Sequence, residues 1–379
     1  MREVLVIAGE ASGDLHAAGF ARALASLRPD VHLAGMGGHR MREAGVELLE
    51  DAERLAVMGF VEVLRKVPHH WALLRQLERR LASGRVALLV TIDYPGFNMR
   101  VAEAARRHGV PVLYYITPQV WAWGANRLPR LAQLVTKAAV ILPFEEALLR
   151  QHGIDATFVG HPLLDRAQAL PSRAEARTAL GVAPDARLLA LFPGSRGQEI
   201  ARHLDDFVAT ARLLQARQPG LEVVVSAAPT VRVDPARCPF RQVHDASFRV
   251  LRAADAALCK SGTTTLEAAV AGCPLVVAYR TSGWTYAIAR RAVKIPFIGL
   301  VNVVAGREVA REFVQDALHP EAVASALEGL LLPGSDVRER QLAELARVRD
   351  TLGTPGAASR VAAMAAALLP APAPPSARP

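Results

Sequence analysis

Three stretches of this sequence combine residue types and spacing suited to an anionic ligand and to proton transfer. The first is Lys260-Ser261-Gly262-Thr263-Thr264-Thr265-Leu266-Glu267, between the apolar run Ala256-Ala257-Leu258-Cys259 and a helix stopped by Gly272 and Pro274. A turn of small, hydroxyl-bearing residues at a helix start leaves backbone N–H groups unpaired and adds the positive end of the helix dipole, a seat for a phosphate or diphosphate. Glu267 falls in the first helical turn, where a carboxylate can accept bonds from hydroxyls such as those of a ribose; Ser261 and the threonines could equally do no more than cap a packed helix. The second is Pro193-Gly194-Ser195-Arg196-Gly197-Gln198-Glu199, again a strand-to-helix turn, in which a backbone anion nest is joined by Arg196, able to bond a phosphate bidentately. The third is Asp93, at the tip of the strand Val86–Ile92 and followed by Pro95-Gly96: a candidate general base, or simply a cap on the next helix. A fourth, denser set, Asn302, Arg307, Glu308, Glu312 and Gln315, could serve a sugar and its diphosphate or pair within itself on a solvated face.

These residues need a scaffold, and the chain spells one out. Apolar runs at Arg2–Ala8, Val31–Ala34, Val86–Ile92, Val112–Ile116, Val140–Leu142 and Thr157–Val159 alternate with helical stretches, and the pattern restarts at Leu188–Phe192, Val223–Val225, Ala254–Cys259 and Leu275–Arg280. Strand and helix alternating twice over predict two α/β, Rossmann-like doubly wound domains with parallel sheets covered on both faces. We place the first domain at 1–170, the second at 171–335, a helical segment at 336–369 and a disordered Pro- and Ala-rich tail at 370–379. Gly9-Glu10-Ala11-Ser12-Gly13-Asp14 opens the first domain without the G-x-G-x-x-G spacing, so nicotinamide binding is not supported. Gly35-Met36-Gly37-Gly38 reads as a second glycine-rich turn. Between 56 and 81, apolar residues (Val57, Met58, Phe60, Val61, Val63, Leu64, Trp71) interleave with Arg65, Lys66, Arg75 and Arg79 at roughly helical spacing. That is either an amphipathic helix docked on the core or a basic, apolar face that rests on a membrane and admits acyl chains.

Length and composition set the outer bounds. At 379 residues the chain can hold two full cores. The net charge of +9 favours an anionic partner in general. With no RNA-binding signature, zinc-finger spacing or continuous basic tract, nucleic acid is excluded. Cys238, Cys259 and Cys273 lack metal-ligand spacing and read as reduced core residues. The N-terminus shows no secretory signal and no segment approaches the ~20 apolar residues of a membrane span, so a cytosolic or peripheral protein is expected.

Taken in order, Gly9–Asp14, Val57–Val63, Ile92–Asn98, Pro118–Trp123, Leu142–Glu145, Pro193–Arg196, Ser261–Thr263 with Leu266-Glu267, and Asn302 with Gly306-Arg307-Glu308 resemble the lipid A disaccharide synthase family, from residue 1 to about 330. The resemblance implies a GT-B glycosyltransferase, its two domains facing each other across a cleft. It also implies transfer of 2,3-diacylglucosamine from its UDP ester to 2,3-diacylglucosamine 1-phosphate (lipid X), with inversion and without a metal or other cofactor. On that reading Asp93 is the base; Ser195, Arg196, Ser261, Gly262, Thr263 and Thr264 hold the UDP phosphates and Glu267 the ribose. Asn302, Arg307 and Glu308 belong to the donor loop with individual roles unassigned. Glu10, Ser12 and Asp14 would line the acceptor side, and Val57 to Trp71 would receive acyl chains at the cytoplasmic face of the inner membrane. A homodimer with exchanged C-terminal segments is also implied. The alternatives are a UDP-N-acetylglucosamine epimerase or undecaprenyl-linked transferase of the same architecture, or a membrane-associated nucleotide-sugar binding protein without catalysis.

Overall fold

The computed structural model describes residues 2–52, 60–228, 231–244, 246–283, 286 and 295–371, with only the backbone described over 60–67. The chain divides into two units: Met1–Pro162 with Thr354–Pro379, and Leu163–Gly353.

The first unit is built on seven strands: β1 (Arg2–Ala8), β2 (Val31–Gly37), β3 (Glu47–Asp51), β4 (Val86–Ile92), β5 (Val112–Tyr115), β6 (Lys137–Val140) and β7 (Ala156–Phe158). They lie in the order β3-β2-β1-β4-β5-β6-β7, and every pairing is parallel. The reason is legible in β1, where six of seven residues are buried: a strand covered by helices on both faces reads as a continuous apolar run. Alternate side chains feed separate cores, Leu5 and Ile7 on one face, Val4, Val6 and Ala8 on the other. The first core is closed by Leu73, Leu77 and Leu81 of the helix Phe60–Ala82, the second by Val361, Ala362 and Ala365 of the helix Ala357–Leu368.

The second unit holds β8 (Leu188–Phe192), β9 (Glu222–Ala227), β10 (Arg241–His244), β11 (Ala256–Lys260), β12 (Leu275–Tyr279) and β13 (Glu312–Val314), in the order β10-β9-β8-β11-β12-β13, again parallel throughout. In both units the strand order reverses beside the first strand, between β1 and β4 and between β8 and β11. In open α/β sheets ligands bind outside the carboxyl ends of the strands at that reversal.

Several expectations are corrected. Gly35–Gly37 is not a turn: β2 continues through it, with Gly35 opposite Val6 and Met36 opposite Ile7. The Gly9–Asp14 stretch is helical from Ala11 onward, in the helix Ala11–Leu27. The first unit ends at Pro162, earlier than 170, and the helical segment 336–369 is split between the units. Its helix Asp336–Thr351 stays with the second unit, where buried Gln341 bonds both the N–H (2.9 Å) and the carbonyl (3.0 Å) of Leu275. Its helix Ala357–Leu368 returns to the first, where Arg360 donates to the Val159 carbonyl at 2.8 Å. Val57 and Met58 lie outside the described residues, as do the side chains of Phe60, Val61, Val63 and Leu64, whose backbone is helical. Among the described residues no helix is long and apolar enough to cross a membrane.

Candidate functional site

In the first unit the carboxyl ends of β1 and β4 carry the acidic candidates. Asp93 and Tyr94 both take left-handed backbone conformations, each with φ +49°, before Pro95 starts the helix Pro95–Arg107. Such a conformation costs a non-glycine residue about 1–3 kcal/mol and persists only where its surroundings hold it. Here the Asp93 carbonyl accepts bonds from the Tyr114 hydroxyl (3.0 Å) and the Asn98 amide (2.5 Å), and that amide also donates to the Ile92 carbonyl. Asn98 and Tyr114 are fully buried. Burial first, and the Asp93 charge second, push the Tyr114 phenol far above its ordinary range, so it stays a neutral donor. The Tyr94 ring fills the space over Gly9, where a Cβ would fall 2.3 Å from the ring, and its hydroxyl meets His70 Nε2 at 3.0 Å. Burial, and then the charge of Glu10, raise the Tyr94 phenol, which brings Glu10 into this group. Glu10 and Ser12 are exposed. Asp14 is committed elsewhere: buried, it accepts the backbone N–H groups of Gly38 (2.7 Å), Arg40 (3.1 Å) and Met41 (3.1 Å) and so caps the short helix His39–Glu43.

The loop through Trp121 and Trp123 is pinned by a residue whose part the sequence did not reveal. Glu145, 4% exposed, accepts Trp121 Nε1 at 2.9 Å and the Leu142 N–H at 3.0 Å. Burial drives its carboxyl up to about 7 despite those bonds. Trp123 stays exposed under the Arg127 guanidinium, and Trp71 under that of Arg100.

In the second unit the two predicted anion turns sit side by side, because β8 and β11 are neighbours. After β8, Gly194 adopts φ +141° with Glu199 packed where its Cβ would be, so no other residue fits this turn. The Ser195 N–H donates to Glu199 Oε2 at 2.9 Å, Lys260 Nζ to Oε1 at 3.0 Å, and exposed Arg196 stands 3.6 Å from Oε1. Burial alone would raise the Glu199 carboxyl, but the Lys260 charge and the Ser195 bond outweigh it and its pKa lies below the ordinary range. After β11, the Ser261 N–H donates to the Ala278 carbonyl and its hydroxyl to the Ile298 carbonyl. The N–H groups of Gly262, Thr263 and Thr264 have no partner among the described residues. Buried Glu267 pairs with Arg166 at 3.0 Å, whose guanidinium also lies over the Phe248 ring.

In the dense polar set Glu312 bonds both Asn302 and Glu308, while Arg307 and Gln315 find their partners outside it. Asn302 is wholly buried: its oxygen accepts the N–H groups of Val309 and Ala310, and its amide donates to the Ala310 carbonyl and Glu312 Oε1. Glu312 in turn accepts from the backbones of Ile298 and Gly299, and Gln315 exchanges two bonds with Thr281. Arg307 is exposed and paired with Glu344, and exposed Glu308 accepts the Glu312 N–H at 3.4 Å. The structure therefore places Arg196, Ser195 and the Ser261–Thr264 turn together at the carboxyl ends of β8 and β11, while Asn302 bonds Ala310 and Glu312 and Arg307 pairs with Glu344. Glu199 and Lys260 fall within the two stretches singled out in the sequence but carried no role of their own there; a lysine ending a buried strand was the available signal.

A family model described as lipid-A-disaccharide synthetase matches residues 4–366. The lipid-A-disaccharide synthase of Syntrophus aciditrophicus is 42% identical over 376 residues, 97% of each chain. Among solved structures, the UDP-GlcNAc 2-epimerase from Neisseria meningitidis bound to UDP-GlcNAc superposes with a TM-score of 0.63 at 12% identity, covering 96% of this chain and 100% of that one. The calicheamicin glycosyltransferase does so with a TM-score of 0.61 at 19% identity, covering 97% and 98%. These likenesses establish the two-unit GT-B fold.

Proposed function

From the premise that this chain belongs to the lipid-A-disaccharide synthase family, we propose that it transfers 2,3-diacylglucosamine from UDP-2,3-diacylglucosamine to lipid X, forming the β-1,6-linked disaccharide 1-phosphate and UDP. The observation that carries the reading on this chain is the pairing of two adjacent strand-end turns with an exposed arginine. The N–H groups of Gly262 to Thr264, without a partner among the described residues, and the exposed guanidinium of Arg196 supply donors and positive charge to a diphosphate that gains charge as it departs.

Asp93 then takes the proton from the acceptor hydroxyl as its oxygen attacks the anomeric carbon, the bond to the UDP oxygen breaks on the opposite face, and the configuration inverts. The clamp of Asn98 and Tyr114 holds the backbone that aims this carboxylate, which spares the reaction a search over orientations. Glu10 and Ser12 lie on the acceptor side, Asp14 supports them through its cap, and Glu267 meets the ribose while Arg166 holds one of its oxygens.

The protein works at the cytoplasmic face of the inner membrane. Supporting this, Trp71, Arg75 and Arg79 are exposed at four-residue spacing on one face of the helix Phe60–Ala82, an aromatic and two cations suited to an anionic interface. The homodimer is carried over from the family resemblance alone.

The test is direct: the purified chain is incubated with the acylated donor and lipid X, and UDP release is measured against disaccharide formation. One UDP per disaccharide is expected. Equal turnover of an unacylated donor, or UDP binding with no product, would replace this reading by one of its rivals.

A further inference from the structure

Where the turns after β8 and β11 approach, one carboxylate draws donors from both. Glu199 accepts the Ser195 N–H on Oε2, while Lys260 Nζ at 3.0 Å and the Arg196 guanidinium at 3.6 Å lie against Oε1. The Lys260 ammonium stands 5.7 Å from the centre of the Tyr279 ring and 3.8 Å from the position of a Cβ on Gly262, so it reaches the very turn whose Gly262, Thr263 and Thr264 N–H groups have no partner among the described residues. Its side chain is 19% exposed. A backbone donor, a guanidinium and an ammonium converging on a pair of oxygens is the arrangement that an oxygen pair of a diphosphate requires.

We propose that Lys260 is a further phosphate-binding residue of the donor seat, and that Glu199 is the internal anion that holds its ammonium in place until the diphosphate arrives. Lysine suits such a hand-over: its ammonium is a compact charge on a flexible stem, able to move from carboxylate to phosphate without re-forming a planar fork. An ion pair kept only for stability would be a weak reason for a cation here, because half-buried pairs are often matched by apolar residues of the same size. The inference rests on the reading of this site as a UDP-sugar seat.

The experiment compares the full chain with Lys260→Met and Lys260→Arg, measuring UDP affinity by calorimetry, uridine affinity by ligand-observed NMR, and thermal unfolding. Lys260→Met is expected to weaken UDP about tenfold or more while leaving uridine unchanged, as loss of one charge-assisted bond to the diphosphate does. Lys260→Arg is expected to restore most of the UDP affinity. If Lys260→Met does not fold, Lys260→Gln, which keeps a polar stem beside Tyr279, replaces it. Unchanged UDP affinity, or parallel weakening of UDP and uridine, overturns the role of Lys260. A native chain that binds neither ligand overturns the donor seat itself.

Discussion

Both units end their central strands in tight turns of similar construction, yet the turns are filled in opposite ways. In the first unit the turn after β1 is packed by the Tyr94 ring against Gly9, Asp14 is consumed by three backbone N–H groups, and the turn after β4 presents Asp93 next to the Tyr94 phenol that the Glu10 charge acts on. In the second, the turns after β8 and β11 offer Arg196, Lys260 and unpaired N–H groups. One sheet plan thus yields an acidic edge suited to removing a proton and a cationic edge suited to receiving a diphosphate. The side chains that fill the turns, not the turns themselves, set the difference.

The comparison breaks most visibly at Asp93. Asp93→Asn is expected to lower turnover by at least the ~10²-fold that loss of a general base brings while UDP affinity stays intact; near-native turnover would remove Asp93 from the role. Asn302→Ala should act on the fold instead. Stripping a fully buried hub of its four bonds is expected to destabilise the second unit by about 3 kcal/mol in denaturant titrations, and a stable variant with selectively lost UDP binding would return Asn302 to the ligand. Arg196→Ala is expected to weaken UDP binding by about 2 kcal/mol with no change in stability, because its partner Glu199 keeps Lys260. Unaltered affinity would tell against the cationic edge. Asp14→Ala should cost the smallest amount, about 1 kcal/mol of stability from a lost helix cap, with UDP affinity untouched; a stability equal to that of the native chain would show that the cap is dispensable.

How far the site could be read in advance follows from how locally each feature is encoded. The strands β1, β4, β5, β8, β11 and β12 are buried on both faces, so their apolar runs announce them. Of the four edge strands, β7 was anticipated, whereas β3, β10 and β13 carry sequences such as Arg241-Gln242-Val243-His244, which meet water and follow no apolar pattern, and were not. The Ser261 and Gly194 turns were legible because a strand, a small-residue turn and a helix are contiguous. The partners of Asn302 were not, since four bonds to Val309, Ala310 and Glu312 exist only once the loop closes on itself.

The sequence by itself determined the alternation of strand and helix, the family, and the positions of Asp93, Arg196 and the Ser261–Thr264 turn, because each depends on neighbours in the chain. Only the tertiary structure decided which of those groups remain available. Asp14 is engaged by a segment 24 residues away and Arg307 by one 37 away, Asn302 by the backbone and side chain 7 to 10 residues on, Lys260 is drawn to Glu199 across 61, and the last helix, Ala357–Leu368, rejoins the first unit. Hydrogen bonds and ion pairs act through space at about 3 Å. Which polar group is spent on the fold and which is left for a ligand is therefore set when the sheets bring distant turns together.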